Sequence, residues 1–565
     1  MKKIVIVGGV AGGASAAARL RRLDEEAQII VFERSGYVSY ANCGLPYYVG
    51  GVIEDKKQLT LQTPQSFWNR FRVDIRVKHN VLSIDRANKT VKVQNLETGV
   101  EYEESYDKLI LSPGAKPVIP GLPGVDSDKL FTLRTVEDSL KIREYVVNEK
   151  PKSAVVVGGG FIGVETAENL REMGLEVTIV QRPKQVLKPL DRDMAAFVHA
   201  EIRKNGIKLM LNKDVEGFKN LHGQIYTMIK ADEAVPSDMV IFAIGISPEN
   251  TLALEAGLKL GDRGGIVVDE HMLTSDPDIY AVGDAVQVRH FTGGYDTLIP
   301  LAGPANKQGR IAADNICGLD SRYNGSQGSA IVKVFSLTAA STGINESEAA
   351  YAGIEYEKIV LSPASHAGYY PGGKVLTMKL LYAKDDLRIL GAQIVGYEGV
   401  DKRIDVLATA IRCGMKAPQL KELELCYAPP YSSAKDPVNF AGYMAENIEL
   451  GLVKQFHWQD VAKLPRDGSV TLLDTRTPME YAGGCAPDFI NIPVDELAER
   501  VGELDKNKPV YVMCQSGLRS YVACRFLAQK GFDCYNFSGG YRFYNSAVSE
   551  MKMTERTWPC GMDKK

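Results

Sequence analysis

Lys3-Ile4-Val5-Ile6-Val7-Gly8-Gly9-Val10-Ala11-Gly12-Gly13 is the stretch on which the fold turns. An apolar run of strand length feeds into a glycine turn, the Ala-rich segment Ala14 to Leu23 follows with helical composition, and Ile29 to Phe32 returns as a second strand ending in Glu33. That order is a βαβ unit. Such a turn needs glycines because a side chain would hold the backbone away from a pyrophosphate, whose charge is stabilised by free amides and the helix N-terminus. Gly8 and Gly13 fill the outer positions, Val10 takes the middle one, and Glu33 stands where it can accept hydrogen bonds from a ribose diol. The grammar repeats at 153–182, where Gly158, Gly160 and Gly163 complete the pattern and open a helix containing Glu165. Gln181 stands where an acid would favour NADH, and Arg182 and Lys184 suit a 2′-phosphate, so charge leaves NADH and NADPH both open. Two nucleotide folds in tandem are expected.

At 565 residues with 45% hydrophobic content, the chain has material for about three or four domains. Its 67 basic and 70 acidic residues leave a net charge of −3, which gives no support for a polyanion-binding surface, so nucleic acid is not expected as a partner. Nine cysteines, an odd count with no CxxC pair, argue for a reducing compartment. No apolar run reaches membrane-spanning length, and no signal sequence precedes the first strand, so a cytoplasmic protein is expected.

The pattern divides the chain into residues 1–148 and 277–323, which bind the first nucleotide, 149–276, which bind the second, an interface domain at 324–446, and a compact α/β module at 455–565. Alternating strands at Ala330 to Phe335 and Val375 to Leu381, with an amphipathic segment Ile404 to Ile411, mark the interface domain, and 446–456 reads as a linker. The fold class is therefore α/β, with two tandem Rossmann-like domains, an α+β interface domain and a C-terminal α/β domain. No metal-ligand pattern is present in the sequence.

Thr274-Ser275-Asp276-Pro277-Asp278-Ile279-Tyr280-Ala281-Val282-Gly283-Asp284 resembles the flavin ribityl motif of the two-dinucleotide-binding-domain flavoprotein reductases, members of the pyridine nucleotide-disulfide oxidoreductase family. With Ile110-Leu111-Ser112-Pro113-Gly114-Ala115 and Phe242-Ala243-Ile244-Gly245 at the domain crossings, the resemblance covers roughly the first 445 residues. It implies FAD in the first fold and NADH or NADPH in the second. Gly8, Gly13, Glu33, Arg34, Asn42, Ser112, Gly114, Asp284 and Ala302 would hold the first cofactor, and Gly158, Gly160, Gly163, Glu165, Gln181 and Gly245 the second.

Ser39-Tyr40-Ala41-Asn42-Cys43-Gly44-Leu45-Pro46-Tyr47 resembles the S-x-x-N-C-G-x-P-Y segment of single-cysteine members of this group. The disulfide reductases that use a pair carry C-x4-C here, and the second cysteine is missing. A solitary thiol can form either a sulfenic acid with oxygen or peroxide, or a mixed disulfide with a small thiol. The first outcome is the NADH oxidase and peroxidase reading, and the second is that of the coenzyme A disulfide reductases. Gly368-Tyr369-Tyr370-Pro371-Gly372 and Cys426-Tyr427-Ala428-Pro429-Pro430-Tyr431-Ser432 look like the interface tyrosine segments of the latter. That likeness implies Tyr369 and Tyr427 as catalytic groups reaching the partner subunit of a homodimer, with Tyr431 an alternative. Arg19, Arg22, Ser39, Asn42 and Lys435 are the candidates for binding coenzyme A.

Val510 to Met513 delivers Cys514 to the loop Cys514-Gln515-Ser516-Gly517-Leu518-Arg519-Ser520, where inward amides would stabilise a thiolate. The segment resembles a rhodanese domain, supported by Leu473-Asp474-Thr475-Arg476, Phe489-Ile490-Asn491-Ile492-Pro493 and Phe537-Ser538-Gly539-Gly540. Its C-x4-R loop is the shorter, sulfurtransferase length. Arg519 would face the substrate anion or brace the loop, Asp474 and Arg476 would form a structural ion pair, and Cys524, Cys534 and Cys560 would be core or surface residues. The whole pattern looks like the coenzyme A disulfide reductase and rhodanese fusions, some of which reduce persulfide or polysulfide with NADH. The implied activity is reduction of a coenzyme A persulfide, polysulfide or disulfide through a Cys43 mixed disulfide, with sulfane sulfur delivered by Cys514. A sulfurtransferase with a flavin half acting as sensor or scaffold is the reading from a different class.

Overall fold

The computed structural model describes residues 2–231 and 233–555. They group into two compact units, residues up to 183 with 206–328, and 184–205 with 329 onward.

In the first unit, Lys3–Val7 is the middle strand of a five-stranded parallel sheet ordered 279–281, 108–111, 3–7, 28–33, 74–77. Strands flank it on both sides, so its C-terminal end lies at the point where connections diverge, which is where open α/β sheets bind ligands. Ile4, Val5 and Ile6 are wholly buried, as expected for a strand covered on both faces. The helix Ala11–Leu23 packs against Ala302–Ile316 closely enough that a Cβ on Gly309 would lie 2.2 Å from the Gly12 carbonyl oxygen. A second parallel sheet, ordered 208–211, 176–181, 153–157, 239–242, 130–132, repeats the architecture around Ser153–Val157. A two-stranded antiparallel joint, Ala115–Pro117 against Ile246–Pro248, ties the two nucleotide folds together.

The second unit holds an antiparallel sheet ordered 330–334, 337–343, 389–396, 377–383, 356–361, backed by the helices Val400–Arg412 and Pro437–Glu449. A smaller parallel sheet follows, ordered 454–456, 534–537, 510–513, 471–474, 490–491. The expected linker at 446–456 is not one. Its first residues complete the helix Pro437–Glu449, and Lys454–Phe456 pairs with Tyr535–Phe537 as an edge strand of the smaller sheet. The helix Arg192–Lys204 falls within 149–276 in sequence yet groups with this unit, where the Glu201 carboxylate accepts from the Ser336 and Tyr397 hydroxyls at 2.9 Å each. No helix among the described residues is long and apolar enough to cross a membrane. Cys560 lies outside the described residues.

Candidate functional site

The first glycine turn is built as the chemistry requires. Gly8 has φ +97°, and a Cβ there would stand 2.0 Å from the Ser112 carbonyl oxygen; one on Gly13 would meet the Gly8 oxygen at 1.9 Å. At Val10 φ is −100°, outside the left-handed region that favours glycine, so the middle position does not demand one. Glu33 is buried, and its two carboxylate oxygens accept from the Gly9 and Ser35 amides at 2.9 Å each. These residues open onto a cavity of about 370 Å³ lined by Gly8, Val10, Glu33, Arg34, Asn42, Ser112, Gly114 and Arg134 among others. Such a volume lies in the range of cofactor clefts. Asp284 forms an ion pair with the lining residue Arg134 (2.8 Å), and the Gly283 amide donates to Gln308 at 2.7 Å. Ala302 starts the helix Ala302–Ile316.

The second turn is a close copy. Gly158 has φ +113° and abuts the Ala243 carbonyl, Gly163 abuts Gly158, and the Gly159 amide donates to Gln181 at 2.9 Å as Gly9 does to Glu33. A Cβ on Gly160 would meet no atom within 4 Å, so the space in front of this turn is open to a ligand. The residues therefore fit two dinucleotides, with an acid at one ribose position and an amide at the other.

Cys43 lies in a tight turn, Asn42–Gly44, ahead of the short helix Leu45–Val49. Asn42 faces Arg134: with its amide turned so that the nitrogen donates to the Arg134 carbonyl (2.9 Å), the oxygen accepts from the guanidinium (2.6 Å). Cys43 is solvent-accessible. The surrounding protein pushes its thiol up, the Glu165 and Asp284 charges push the same way, and Arg134 opposes them. Glu165 accepts from the Tyr47 hydroxyl at 3.2 Å, and burial lifts its carboxyl to about 7 against that hydrogen bond.

In the second unit, the Tyr369 and Tyr427 hydroxyls, 58 residues apart, are hydrogen-bonded at 2.6 Å on exposed side chains. That bond holds the Tyr369 phenol above its ordinary range. Cys514 is wholly buried, and its sulfur accepts from the Gly517 amide (3.1 Å) and the Ser520 hydroxyl (3.2 Å). Gly517 has φ +99° at the start of the helix Leu518–Gln529, a strain glycine accommodates, and this turns its amide inward. Two donors on one sulfur stabilise a thiolate and a terminal sulfur anion alike. Arg519 braces the loop, pairing with Glu480 through two 2.8 Å contacts. Arg476 and Asp474 form a buried ion pair beneath it.

Residues 2–309, over half of the chain, match the pyridine nucleotide-disulphide oxidoreductase family. The chain belongs to that family. Residues 329–437 match its dimerisation domain, and 457–547 match the rhodanese-like domain. Coenzyme A disulfide reductase of Staphylococcus epidermidis is 38% identical over 447 residues, 79% of this chain and 100% of that protein. The crystal structure of reduced Bacillus anthracis CoADR-RHD superposes with a TM-score of 0.95 at 48% identity, covering 97% of this chain and 98% of that one. A NAD-dependent persulfide reductase from A. fulgidus gives a TM-score of 0.90 at 38% identity, covering 96% and 99%. FAD and NAD(P)H are the cofactors of this oxidoreductase family, and the chain is an oxidoreductase.

Among the residues singled out for this oxidoreductase in sequence, the cofactor set clusters around the two turns and the tyrosines meet each other. Of the cations suggested for coenzyme A, Arg19 and Arg22 lie on the helix Ala11–Leu23 of the first unit and Lys435 lies in the second. Arg19 is engaged by Asp314 at 2.6 Å, Arg22 is exposed on the same helix, and Tyr431 and Lys435 are exposed in the second unit. Ser39 has φ +47°, and its amide donates to the Gly9 carbonyl. Arg34 faces Glu249 at 3.5 Å. Sequence reading missed Arg134, Tyr47, Glu480 and Ser520. Arg134 and Glu480 carry no local signal, whereas Tyr47 closes the quoted S-x-x-N-C-G-x-P-Y segment and Ser520 lies next to Arg519 in the quoted loop, one helical turn beyond the inward amide of Gly517.

The proximity of Glu165 makes a prediction about Cys43. Above pH about 7 the ionised carboxylate adds negative charge near the thiol, so Glu165→Gln should lower the thiol's pKa and move the pH dependence of iodoacetamide alkylation at Cys43 to lower pH. Mass spectrometry of the labelled peptide reads it. An unchanged profile would show that Glu165 does not act on the thiol.

Proposed function

We propose that this chain is a nicotinamide-dependent flavoprotein reductase of coenzyme A persulfide, polysulfide or disulfide, with Cys514 carrying sulfane sulfur. The observation that supports it is the pairing within one chain of a solitary accessible thiol, Cys43, beside Asn42 of the cofactor cavity, and a second thiol, Cys514, held by inward donors in a sulfurtransferase-length loop. Of the relatives named for these activities, the coenzyme A disulfide reductase aligns along 79% of the chain and the persulfide reductase structure covers 96% of it.

FAD, when bound, supplies the electron pair drawn from NADH or NADPH. The chain's own residues do the sulfur chemistry. The Cys43 thiolate attacks the inner sulfur of a carrier persulfide, forming a Cys43–carrier disulfide while the S–S bond breaks and hydrosulfide leaves. Two electrons and one proton then split that disulfide into the Cys43 thiolate and the carrier thiol. With coenzyme A disulfide, the first leaving group is coenzyme A thiolate instead. The Tyr369–Tyr427 pair is suited to give the proton, because a phenol donating to a departing thiolate lowers the cost of its charge. In this reading a second copy of the chain supplies the tyrosines to Cys43, within a cytoplasmic homodimer.

Cys514→Ser separates carrier from reductase. The variant should lose transfer of sulfur from thiosulfate to cyanide by about 10³-fold or more, as expected when a covalent nucleophile is removed. Retained transfer would refute Cys514 as the carrier.

A further inference from the structure

The tyrosine pair sits on two loops that have no reason, from their own sequences, to bring the two hydroxyls within 2.6 Å. We infer that Arg403, with its neighbour Lys402, is the positioning residue that sets this distance and with it the proton-donating group of the reductase. The inference rests on the catalytic use of the tyrosines proposed above.

Arg403 lies on the helix Val400–Arg412 and is 1% exposed. Its guanidinium reaches both loops at once. Toward the Tyr369 loop, Nη2 donates to the Ser365 carbonyl at 2.8 Å. Toward the Tyr427 loop, the same nitrogen lies 3.2 Å from the Ser432 hydroxyl oxygen and 3.4 Å from the Tyr431 carbonyl oxygen, so its two N–H groups are shared among the acceptors. Asp436, 2% exposed, balances the charge, with Nη2 at 3.0 Å and Nε at 3.2 Å from its Oδ2, and it also accepts from the Ser432 hydroxyl at 2.7 Å. A direct backbone bond, Ala367 amide to Ser432 carbonyl at 3.0 Å, joins the loops at the same level. One residue earlier on the helix, the Lys402 ammonium donates to the Cys426 carbonyl at 3.1 Å, immediately before Tyr427.

A planar five-donor fork can hold several acceptors in fixed directions, which a lysine's single ammonium cannot reproduce. The buried charge is thus spent on geometry. Arg403 touches neither hydroxyl, so its effect on catalysis passes through the loops.

The test uses the full-length, FAD-loaded enzyme with [13Cζ]tyrosine labelling, and compares Arg403→Lys with Tyr427→Phe. The Tyr369 resonance in Arg403→Lys should titrate as it does in Tyr427→Phe, released from the hydrogen bond that raises the phenol. Turnover with coenzyme A disulfide should fall by a similar factor in both, about 10²-fold, the lower range for loss of a general acid. The double variant should lose no more than either single one. A folded Arg403→Lys whose Tyr369 titrates as in the wild type would overturn the inference. Should Arg403→Lys fail to fold, Lys402→Met, which removes a half-exposed contact, gives the same reading: release of the Tyr369 resonance supports positioning from this helix, and a wild-type titration overturns it. Release of Tyr369 with undiminished turnover would uphold the positioning and refute the tyrosines' catalytic use.

Discussion

Cys43→Ser will abolish sulfide release from a coenzyme A persulfide while NADH still bleaches the flavin. The hydroxyl of serine is nearly isosteric with the thiol, and Asn42, which faces the cavity beside it, is held by Arg134 independently of the sulfur. Cofactor binding should therefore survive. What disappears is the atom able to form a mixed disulfide, and removal of a covalent nucleophile typically costs several orders of magnitude, so a loss of at least about 10³-fold is expected. Stopped-flow absorbance separates the two half-reactions: flavin reduction by NADH stays fast, and reoxidation by coenzyme A disulfide or persulfide stops. Mass spectrometry of the wild type should find a coenzyme A adduct on Cys43, and the same peptide of the Cys43→Ser variant should carry none. Undiminished sulfide release from the variant would remove the central step of the proposed function, and a sulfenate in place of the adduct would favour oxygen or peroxide as the oxidant.

Lys379→Met carries the largest expected loss of stability. Lys379 is wholly buried in the strand Thr377–Ala383, and its ammonium donates to Asp193 (2.7 and 2.8 Å), Asp191 (3.1 Å) and Glu346 (2.5 Å). The three carboxylates have the spacing of a cation site, and the ammonium supplies the cation. Gln393 and Trp458 satisfy further lone pairs on Asp191 and Asp193. Methionine fills similar space and leaves the acids buried without their main counter-charge, at a cost of about 3–5 kcal/mol. Calorimetric unfolding of the full chain at neutral pH should show it, and a change below about 1 kcal/mol would refute the hub's importance.

At Glu346 the pH dependence has a definite sign, opposite to that at Asp191, whose carboxyl burial pushes up. Burial alone would raise the Glu346 carboxyl, and Lys379 with Lys358 outweighs that and holds it at about 2. A carboxylate lowered in the folded state contributes stability that is present above its ordinary range and lost as pH falls toward 2. The gap between wild type and Lys379→Met should therefore narrow below about pH 4.

The glycine turns were legible in sequence because their demands are local. Gly8 and Gly158 need positive φ against a neighbouring strand, and Gly13 and Gly163 need their Cβ positions empty. Val10 departed from the pattern at the position where the backbone imposes no such demand. The Cys514 loop was legible for the same reason, since Gly517 turns its amide onto a sulfur three residues away. The reading of 446–456 as a linker failed because a three-residue edge strand, Lys454–Phe456, owes its existence to its partner Tyr535–Phe537. No periodicity that short distinguishes it from a loop.

By itself, the sequence determined the two nucleotide turns, the solitary thiol and the Cys514 loop, because each depends on contacts within a few residues or on one turn facing one strand. Tertiary structure alone decided that Tyr369 and Tyr427 share a hydrogen bond, that Arg403 reaches both of their loops, and that Glu480 pairs with Arg519. These are partnerships between side chains far apart in sequence, and a charged or phenolic residue carries no local mark of which distant group will satisfy it.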